Sequence, residues 1–391
     1  MIQLPRVLIV ADDLTGAMDS AGPFATLGIE TWVVAVPMRC DPASLRSARV
    51  VSVNTDSRHL AAAEAAARVN AIVRHLGTDG FDIIVKKIDS TLRGNVVAET
   101  LALLDASGRR EAVVAAAFPA QGRTVRGGVV HVDGKPLAQT AFAKDALSPP
   151  PLSPLQEVFA AAKPAMRVRA ALPSDAFATG TDVWIADSEV DADLTRIVEA
   201  FAARMNRVLM VGSAGLTRAL ATVCFDAQPA PAARQPVTGT IVFAVGSRAA
   251  RSAEQVEALA AEPETRVLRA PNGRLQSAQI PSGLNLVLKA TADDTGHEGD
   301  AGRVAADMAR HALDMARGAH AQALVATGGD TAIAILAASD NPALQVLGDL
   351  MPGIPYARIR VDGTPLWLVT KAGGFGARDT FRDVARRLRG A

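Results

Sequence analysis

Two aspartates stand side by side near the N-terminus, in the segment ADDLTG, directly after the apolar run VLIV. A carboxylate in that position can accept a proton from a substrate hydroxyl, hold Mg²⁺, or accept a hydrogen bond from a sugar. One aspartate would also be explained as the cap of a following helix. Because a cap needs only one carboxylate, the pair Asp12 and Asp13 favours a functional site.

The turn KKIDSTLRGN, which follows the run DIIV, holds the densest group of polar side chains in the N-terminal half. Charged lysines at the end of a buried strand are costly unless they are paired. A capped helix with surface cations is the alternative interpretation. We favour a site for a small acidic molecule, formed by the side chains of Lys87, Asp89, Ser90 and Arg93.

Two further turns of this half carry charged groups. Arg58, in NTDSRHL, has the planar donor fork that suits a carboxylate, and a surface turn explains it equally well. The segment FPAQGRTVRGG offers Gln121, Arg123 and Arg126 as candidate contacts, for which a glycine-rich surface loop is at least as good an explanation.

Glycine-rich turns take over in the C-terminal half, as VGSRAARS, ATGGDTA and TKAGGFGARD. Each would begin a helix, where unpaired N–H groups and the helix dipole attract phosphate. One such turn is weak evidence for a phosphate site. Three are harder to dismiss, because the carboxyl ends of parallel strands meet at one edge of a sheet. The sequence has no P-loop GxxxxGK[ST], no GxGxxG fingerprint and no protein-kinase motif set.

The composition excludes several classes of protein. The 391 residues carry 41 Lys and Arg against 40 Asp and Glu, which argues against a nucleic-acid surface or a polybasic membrane anchor. The 2 cysteines and 6 scattered histidines show no disulfide or metal-ligand spacing, so no residue is predicted as a metal ligand. The N-terminus has no signal-peptide pattern and no run approaches the roughly 18 apolar residues of a membrane span, so we expect a cytoplasmic protein.

Short runs rich in Val and Ile alternate with Ala-rich helical patterns along the chain, which is typical of parallel strands in βαβ units. The proline-rich segment DAQPAPAARQPV interrupts this pattern, which then restarts. We predict an α/β fold of two domains, each a mostly parallel sheet flanked by helices, with the active site in the interdomain cleft. The predicted ranges are 1–228 for substrate binding, 229–237 for a linker and 238–391 for nucleotide binding. A second proline-rich stretch, Ser148–Pro154, is interpreted as an excursion from the first domain.

Taken in order, these motifs resemble the four-carbon acid sugar kinase family. The resemblance runs from Ala11 to Phe381 through ADDLTGAMDSAGPFA, NTDSRHL, KKIDSTLRGN, FPAQGRTVRGG, VGSAGLTRAL, FAVGSR, ATGGDTA and KAGGFGARDTF. It implies that ATP phosphorylates the terminal hydroxyl of threonate, erythronate or 3-oxo-tetronate to a 4-phosphate, with Mg²⁺ bridging the phosphates. Met18 stands where many members carry a polar side chain, which leaves the exact acid open.

The resemblance also implies which residues bind. Sugar-acid ligands are Asp12 or Asp13, Arg58, Lys87, Ile88, Asp89 and Ser90, and the polar character of the same turn adds Arg93. ATP ligands are Ser247, Gly328, Gly329, Asp330, Thr331 and Gly374, to which we add Lys371 and Gly373 of the same loop.

Asp12, Asp13 and Asp330 are the candidate catalytic residues, and the sequence does not choose among them. Lys371 is expected to neutralise developing charge. A lyase or aldolase with Lys87 as a Schiff-base nucleophile, and a non-enzymatic sugar-acid sensor, are the competing hypotheses. We expect a small acidic sugar as partner, neither nucleic acid nor membrane, in a chain whose sequence is compatible with a homodimer.

Overall fold

The computed structural model of the protein describes residues 4–145, 148–226, 235–275, 284–293, 296 and 299–390. The chain divides into two compact units, Met1–Pro229 and Ala230–Ala391. Most of the predicted linker, 229–234, lies outside the described residues. The domain ranges given above therefore stay predictions.

The first unit is built from parallel strands and the helices that connect them. Its strands are β1 (Val7–Ala11), β2 (Thr31–Val34), β3 (Val50–Asn54), β4 (Ile83–Lys87), β5 (Glu111–Ala115), β6 (Arg123–Arg126), β7 (Val129–Val132), β8 (Lys135–Pro136), β9 (Val168–Ala171), β10 (Val183–Ala186) and β11 (Val208–Gly212). Its α-helices are α1 (Leu14–Thr26), α2 (Ala62–Leu76), α3 (Val96–Ala106), α4 (Leu155–Ala162), α5 (Asp191–Phe201) and α6 (Ala214–Cys224). Short 3₁₀ helices occur at Pro37–Arg39, Pro42–Leu45, Pro119–Gln121, Leu137–Gln139, Ala141–Lys144 and Ala202–Arg207.

The main sheet of this unit has the strand order β2-β3-β1-β4-β11-β5-β10-β9, and its pairings are parallel. The central strands are buried along their whole length, because helices cover both faces of a parallel sheet. Ala11 pairs with both Asn54 and Lys87, and Lys87 pairs with Gly212. The turns that follow β1, β3, β4 and β11 therefore begin side by side at the carboxyl edge of the sheet.

A small antiparallel sheet of β6, β7 and β8 lies beside the main one. Bridges join Phe118 to Arg123 and Val125 to Ser188, so the chain leaves the main sheet after β5 and folds back on it. The prediction of a plain turn at FPAQGRTVRGG therefore misses the strand character of this segment. The signal for it is the alternation of RTVR and VVHV about a Gly-Gly turn.

The second unit has a mixed sheet. Its strands are β12 (Ile241–Val245), β13 (Thr265–Pro271), β14 (Asn285–Thr291), β15 (Ala323–Thr327), β16 (Ala343–Met351), β17 (Ile354–Val361) and β18 (Thr364–Lys371). Its helices are α7 (Ala250–Ala260), α8 (Ala301–Gly318), α9 (Gly329–Ala338) and α10 (Thr380–Arg389). The strand order is β13-β14-β12-β15-β18-β17-β16, parallel from β13 to β18 and antiparallel at β17 and β16.

The antiparallel strands β16 and β17 depart from the strand–turn–helix rhythm that the sequence predicts for this half, in a sheet that is otherwise parallel as expected. The two residues Asp362 and Gly363 join β17 to β18, and both have positive φ angles, 49° and 81°. An Asp-Gly pair of this kind forms a tight hairpin, which forces the flanking strands to run antiparallel. The Asp-Gly pair is the sequence signal that marks this departure from the rhythm.

Within the residues that the structure describes, no helix is both long enough and apolar enough to cross a membrane.

Candidate functional site

Asp12 and Asp13 lie at the carboxyl end of β1 and share one cation. Arg58 donates to Asp12 from Nε at 2.7 Å and from a terminal nitrogen at 3.0 Å. Its other terminal nitrogen donates to Asp13 at 2.8 Å. Arg58 follows β3, the parallel neighbour of β1, so the sheet register brings the three side chains together. The guanidinium fork, which the sequence suggested for a substrate carboxylate, faces these two aspartates.

Asp13 is also the N-cap of α1. Its carboxylate accepts hydrogen bonds from the Gly16 N–H at 2.8 Å and from the Thr15 hydroxyl at 2.5 Å. Burial alone would raise the pKa of Asp13, but the Arg58 and Lys87 cations outweigh burial and lower it below its ordinary value. The Asp13 side chain is 17% exposed against 4% for Asp12, so Asp13 is the more accessible carboxylate.

Lys86 and Lys87 end β4, and neighbouring residues of a strand point to opposite faces of the sheet. Lys86 pairs with Glu99 of α3 at 3.0 Å, with both side chains 1% exposed. Lys87 is also buried, yet its Nζ forms no hydrogen bond or ion pair with any residue that the structure describes. A Cβ at Gly16 would lie 2.9 Å from this Nζ, so the ammonium lies against the first turn of α1. A buried cation without a bonding partner is suited to an anionic ligand.

The turn after β4 is closed by Asp89 and Arg93. Arg93 donates to the Asp89 carboxylate from Nε at 2.8 Å and from a terminal nitrogen at 3.1 Å, and the Thr91 hydroxyl donates to the same carboxylate. Burial would raise the pKa of Asp89, but the Arg93 and Arg58 cations hold it well below its ordinary value. Ser90 is half-buried on this turn, and the buried Ile88 donates its N–H to the Gly212 carbonyl at 2.9 Å.

Ser148, the first residue of the proline-rich stretch, braces the loop that presents Arg58. Its hydroxyl donates to the Arg58 carbonyl at 3.1 Å and lies 2.8 Å from His59 Nδ1. Asp145, just before it, lies 3.8 Å from the Arg93 guanidinium. The predicted excursion thus returns to the edge of the sheet that carries the aspartates.

In the second unit, the three glycine loops meet at the carboxyl edge of the sheet. Val245 pairs with Thr327, and Thr327 pairs with Lys371, so the loops after β12, β15 and β18 start side by side. A Cβ at Gly373 would overlap the Ser247 hydroxyl, which only glycine avoids. Gly328, with φ 101°, lies against the Ser247 backbone.

The helix α9 begins at this meeting point with a glycine N-cap that has no side chain to bond the first turn. The N–H groups of Gly329, Asp330 and Thr331 find no acceptor among the described residues. Free N–H groups at a helix N-terminus attract anions. The Asp330 side chain is exposed, and the Thr331 side chain is buried against Gly246. This cradle fits a phosphate group.

Two lysines donate hydrogen bonds to backbone carbonyls of the glycine loops. Lys371 donates to the carbonyls of Ala372, Gly373 and Phe375 at 2.8, 3.1 and 3.0 Å. Lys289, which no sequence motif indicated, donates to the Ser247 carbonyl at 2.7 Å. Burial, together with the Arg251 cation, lowers the pKa of Lys371 to about 7, and burial lowers the pKa of Lys289. Lys371 was expected to face developing phosphate charge, whereas here its ammonium faces its own loop.

Comparison with known proteins gives both units a family. Residues 7–220 match the model of a sugar-binding N-terminal domain, and residues 242–381 match that of a nucleotide-binding C-terminal domain. A D-threonate kinase of Cupriavidus necator is 35% identical, over 95% of this chain and 95% of that protein. The chain belongs to the four-carbon acid sugar kinase family. As a sugar-acid kinase it is a phosphotransferase, not the lyase or sensor that the sequence left open.

This sugar-acid kinase also resembles two further kinases and two solved structures. A D-threonate kinase of Bordetella bronchiseptica is 34% identical over 98% of both chains, and a 3-oxo-tetronate kinase of Burkholderia multivorans is 29% identical over 99% of this chain and 98% of that one. A Bordetella bronchiseptica crystal structure, a domain-swapped dimer with bound citrate, is 32% identical with a TM-score of 0.52 over 98% of this chain and 99% of that one. A Salmonella typhimurium structure described as a putative tRNA synthase shares the fold, with a TM-score of 0.76 at 20% identity over 97% and 99%.

The kinase also contains two buried polar groups of interest. The sequence patterns did not single out Asp19, and they left the role of Arg123 undecided. Asp19 of α1 has a buried carboxylate oxygen with no hydrogen-bond partner among the described residues, and burial raises its pKa. Arg123 has a buried Nε without such a partner and lies within electrostatic reach of Asp89. No sequence pattern marks Asp19, which is an isolated charge within the largely apolar helix α1.

No cluster of three or more His, Cys, Asp or Glu within the described part of the kinase could hold a metal ion. Asp330 is the carboxylate at the start of α9, beside the free N–H groups. Mg²⁺ is usually held by one or two carboxylates together with substrate phosphates, and a lone aspartate beside a phosphate cradle is compatible with that habit.

Proposed function

We propose that the protein transfers the γ-phosphoryl group of ATP to the terminal hydroxyl of a four-carbon sugar acid, giving its 4-phosphate. The observation that carries the proposal is that a cation and two carboxylates lie close together at one edge of the sheet of the first unit. Lys87 is a buried cation without a bonding partner among the described residues, and Asp12 and Asp13 lie beside it as fixed acceptors. A sugar acid needs both, because its carboxylate requires a cation and its hydroxyls require acceptors.

In this proposal, Lys87 binds the substrate carboxylate, and Asp12 and Asp13 accept hydrogen bonds from substrate hydroxyls. Arg58 acts through the aspartates, because three of its donors already bond them. The binding set is completed by side chain or backbone of Ile88, Asp89, Ser90 and Arg93, which form the adjoining turn.

Asp13 is proposed to take the proton from the attacking hydroxyl, since it is the more accessible of the pair. A carboxylate with a lowered pKa is a weak base, but a loose phosphoryl-transfer transition state needs orientation more than a strong base. Asp12 then orients the hydroxyl. Asp330 is proposed to act at the nucleotide.

The phosphates of ATP are proposed to bind the N–H groups of Gly329, Asp330 and Thr331, with Ser247, Gly328, Gly373 and Gly374 lining the approach. When bound, Mg²⁺ would neutralise phosphate charge, with Asp330 as its protein ligand. Transfer requires the two sites to face one interdomain cleft, whose closure would exclude water from the γ-phosphate.

D-threonate is the acceptor we propose to test first. Three relatives named D-threonate kinase are 31 to 35% identical, whereas four relatives named 3-oxo-tetronate kinase are 27 to 29% identical. We further propose that the protein is cytoplasmic and that it forms a homodimer. The domain-swapped dimer of the Bordetella structure supports the homodimer.

ADP release with Mg-ATP tests the function, using D- and L-threonate, D- and L-erythronate and 3-oxo-tetronate as acceptors. Turnover is expected with D-threonate, and Asp13→Asn should lower kcat by about 10²- to 10⁴-fold while ATP binding persists. Absence of ADP with all of these acids, in protein that binds ATP, would overturn the acceptor class. Asp13→Asn with full turnover would overturn the role of Asp13.

A further inference from the structure

The loop after β18, residues 372–377, has four of its carbonyl groups bonded by three buried side chains. Lys371 donates to Ala372, Gly373 and Phe375. Ser252 of α7 donates to Gly373 at 2.8 Å. Gln255 of α7 donates to Phe375 and Ala377 at 2.9 and 2.8 Å. The three donors are 1%, 0% and 0% exposed, so they form a floor beneath the loop.

The floor fixes the direction of the N–H groups. In a planar trans peptide, the C=O of one residue and the N–H of the next point in opposite directions. The carbonyls of Ala372, Gly373 and Phe375 point down to the floor. The N–H groups of Gly373, Gly374 and Gly376 must therefore point away from it, and they find no acceptor among the described residues. All three belong to glycines, which place no Cβ beside the N–H.

We propose that Lys371, Ser252 and Gln255 are positioning residues that hold this loop as a nest of N–H groups for the phosphates of the nucleotide. Successive N–H groups that converge on one side of a loop form an anion-binding concavity. Lys371 reaches the nucleotide only through the loop, because all three of its ammonium protons are matched by carbonyls. The inference deepens the proposed function and rests on it.

If Lys371 contacted the phosphate directly, the substitutions would have different effects on ATP binding. If Lys371 touched the phosphate, Ser252 and Gln255 would be irrelevant to ATP. If the floor positions the loop, each of the three side chains bonds carbonyls of that one loop, so loss of any of them should change the same kinetic constant. The carbonyls of Gly373 and Phe375 are each bonded by two of the three residues, so the effects should not be additive.

The experiment compares Ser252→Ala, Gln255→Met and Lys371→Met with the wild-type kinase, measuring KM for ATP, KM for the acid, kcat and direct ATP binding. Each variant should raise KM for ATP by about tenfold or more and leave KM for the acid unchanged. Ser252→Thr, which restores a hydroxyl, should recover most of the loss. The matched control is Ser339→Ala, which removes the bond from Ser339 Oγ to the Ile335 carbonyl at 2.7 Å at the far end of α9. It should alter only stability.

Ser252→Ala and Gln255→Met with wild-type KM for ATP would overturn the inference, even if Lys371→Met fails to fold. The inference would also be overturned if Ser339→Ala raised KM for ATP as much as the floor variants do, because the rise would then follow from lost stability alone. Failure of the proposed function looks different, since the wild type itself would then bind no ATP or release no ADP with any acid.

Discussion

Arg58 holds Asp12 by two parallel hydrogen bonds, from Nε to Oδ2 at 2.7 Å and from a terminal nitrogen to Oδ1 at 3.0 Å. The third bond reaches Asp13, so one guanidinium balances two adjacent carboxylates at a strand end. Burial opposes the charge of Arg58, but Asp12 and Asp13 raise its pKa well above the ordinary value. A planar fork is required for this geometry, and an ammonium cannot reproduce it.

Arg58→Lys is therefore expected to lower kcat/KM for the sugar acid by about 100-fold or more, because the aspartates lose their orientation. ATP binding should be unchanged. The free energy of unfolding should fall by about 1 to 3 kcal/mol, because a single ammonium leaves buried carboxylate oxygens without the hydrogen bonds of the guanidinium. Steady-state kinetics and urea unfolding measure the two effects.

Arg68→Lys is the matched control, because Arg68 contacts the same loop at the Thr55 and Asp56 carbonyls but is itself exposed. It should leave both quantities near wild type. Equal kinetics for the two variants would contradict the role given to Arg58.

The strand ends were predictable from the sequence, and the partners of the cations were not. Asp12 and Lys87 follow Val- and Ile-rich runs, and parallel register alone brings such residues to one edge. The direction of the Arg58 fork depends on how the loop after β3 folds and on the brace from Ser148, ninety residues later in the chain. No local pattern records that contact.

The same limit explains Lys371. A lysine before AGGFG suggests a phosphate ligand, and only the folded loop shows its three carbonyl partners. Lys289 and Asp19 were missed because each is an isolated charge in an otherwise ordinary strand or helix. Their importance comes from what the sheet and helix packing bring to them, not from neighbouring residues.

Lys87→Met should separate binding from stability. The substitution removes a buried charge without a bonding partner among the described residues and keeps the length of the side chain. KM for the sugar acid should rise by about 100-fold, since the carboxylate loses its cation. The free energy of unfolding should change little, because relief of the cost of burying the ammonium offsets the loss of its attraction to Asp13. Thermal unfolding and kinetics measure this contrast.

Glu99→Gln supplies the opposite case. It breaks the buried pair with Lys86, so stability should fall with a smaller effect on KM for the acid. A Lys87→Met variant that is destabilised with unchanged KM would contradict the assignment of Lys87 to the substrate carboxylate.

Asp89 should make the fold sensitive to acid. Arg93 and Arg58 hold its pKa below the unfolded value of 3.8, although burial opposes them. The ionised carboxylate therefore stabilises the folded state fully above pH 3.8, and this contribution is lost as pH falls through the folded pKa. Urea midpoints of wild type and Asp89→Asn should differ most at neutral pH and converge below that window.

Asp105→Asn, at the exposed end of α3, is the control and should shift the midpoint little at any pH. A constant gap between wild type and Asp89→Asn across the acid range would contradict the ion-paired state of Asp89.

Gly373→Ala and Gly374→Ala should separate the packing of the nucleotide loop from its contact with ATP. A Cβ at Gly373 would overlap Ser247, so Gly373→Ala should lower both stability and ATP affinity. A Cβ at Gly374 meets no atom within 4 Å, so Gly374→Ala should keep the wild-type stability. Its ATP affinity should nevertheless fall by about tenfold, because the methyl group would occupy the space proposed for phosphate. Thermal unfolding with and without ATP, and calorimetric titration, measure the pair. Gly374→Ala with wild-type ATP affinity would remove Gly374 from the nucleotide site, while Gly373→Ala with wild-type stability would contradict the contact between the two loops.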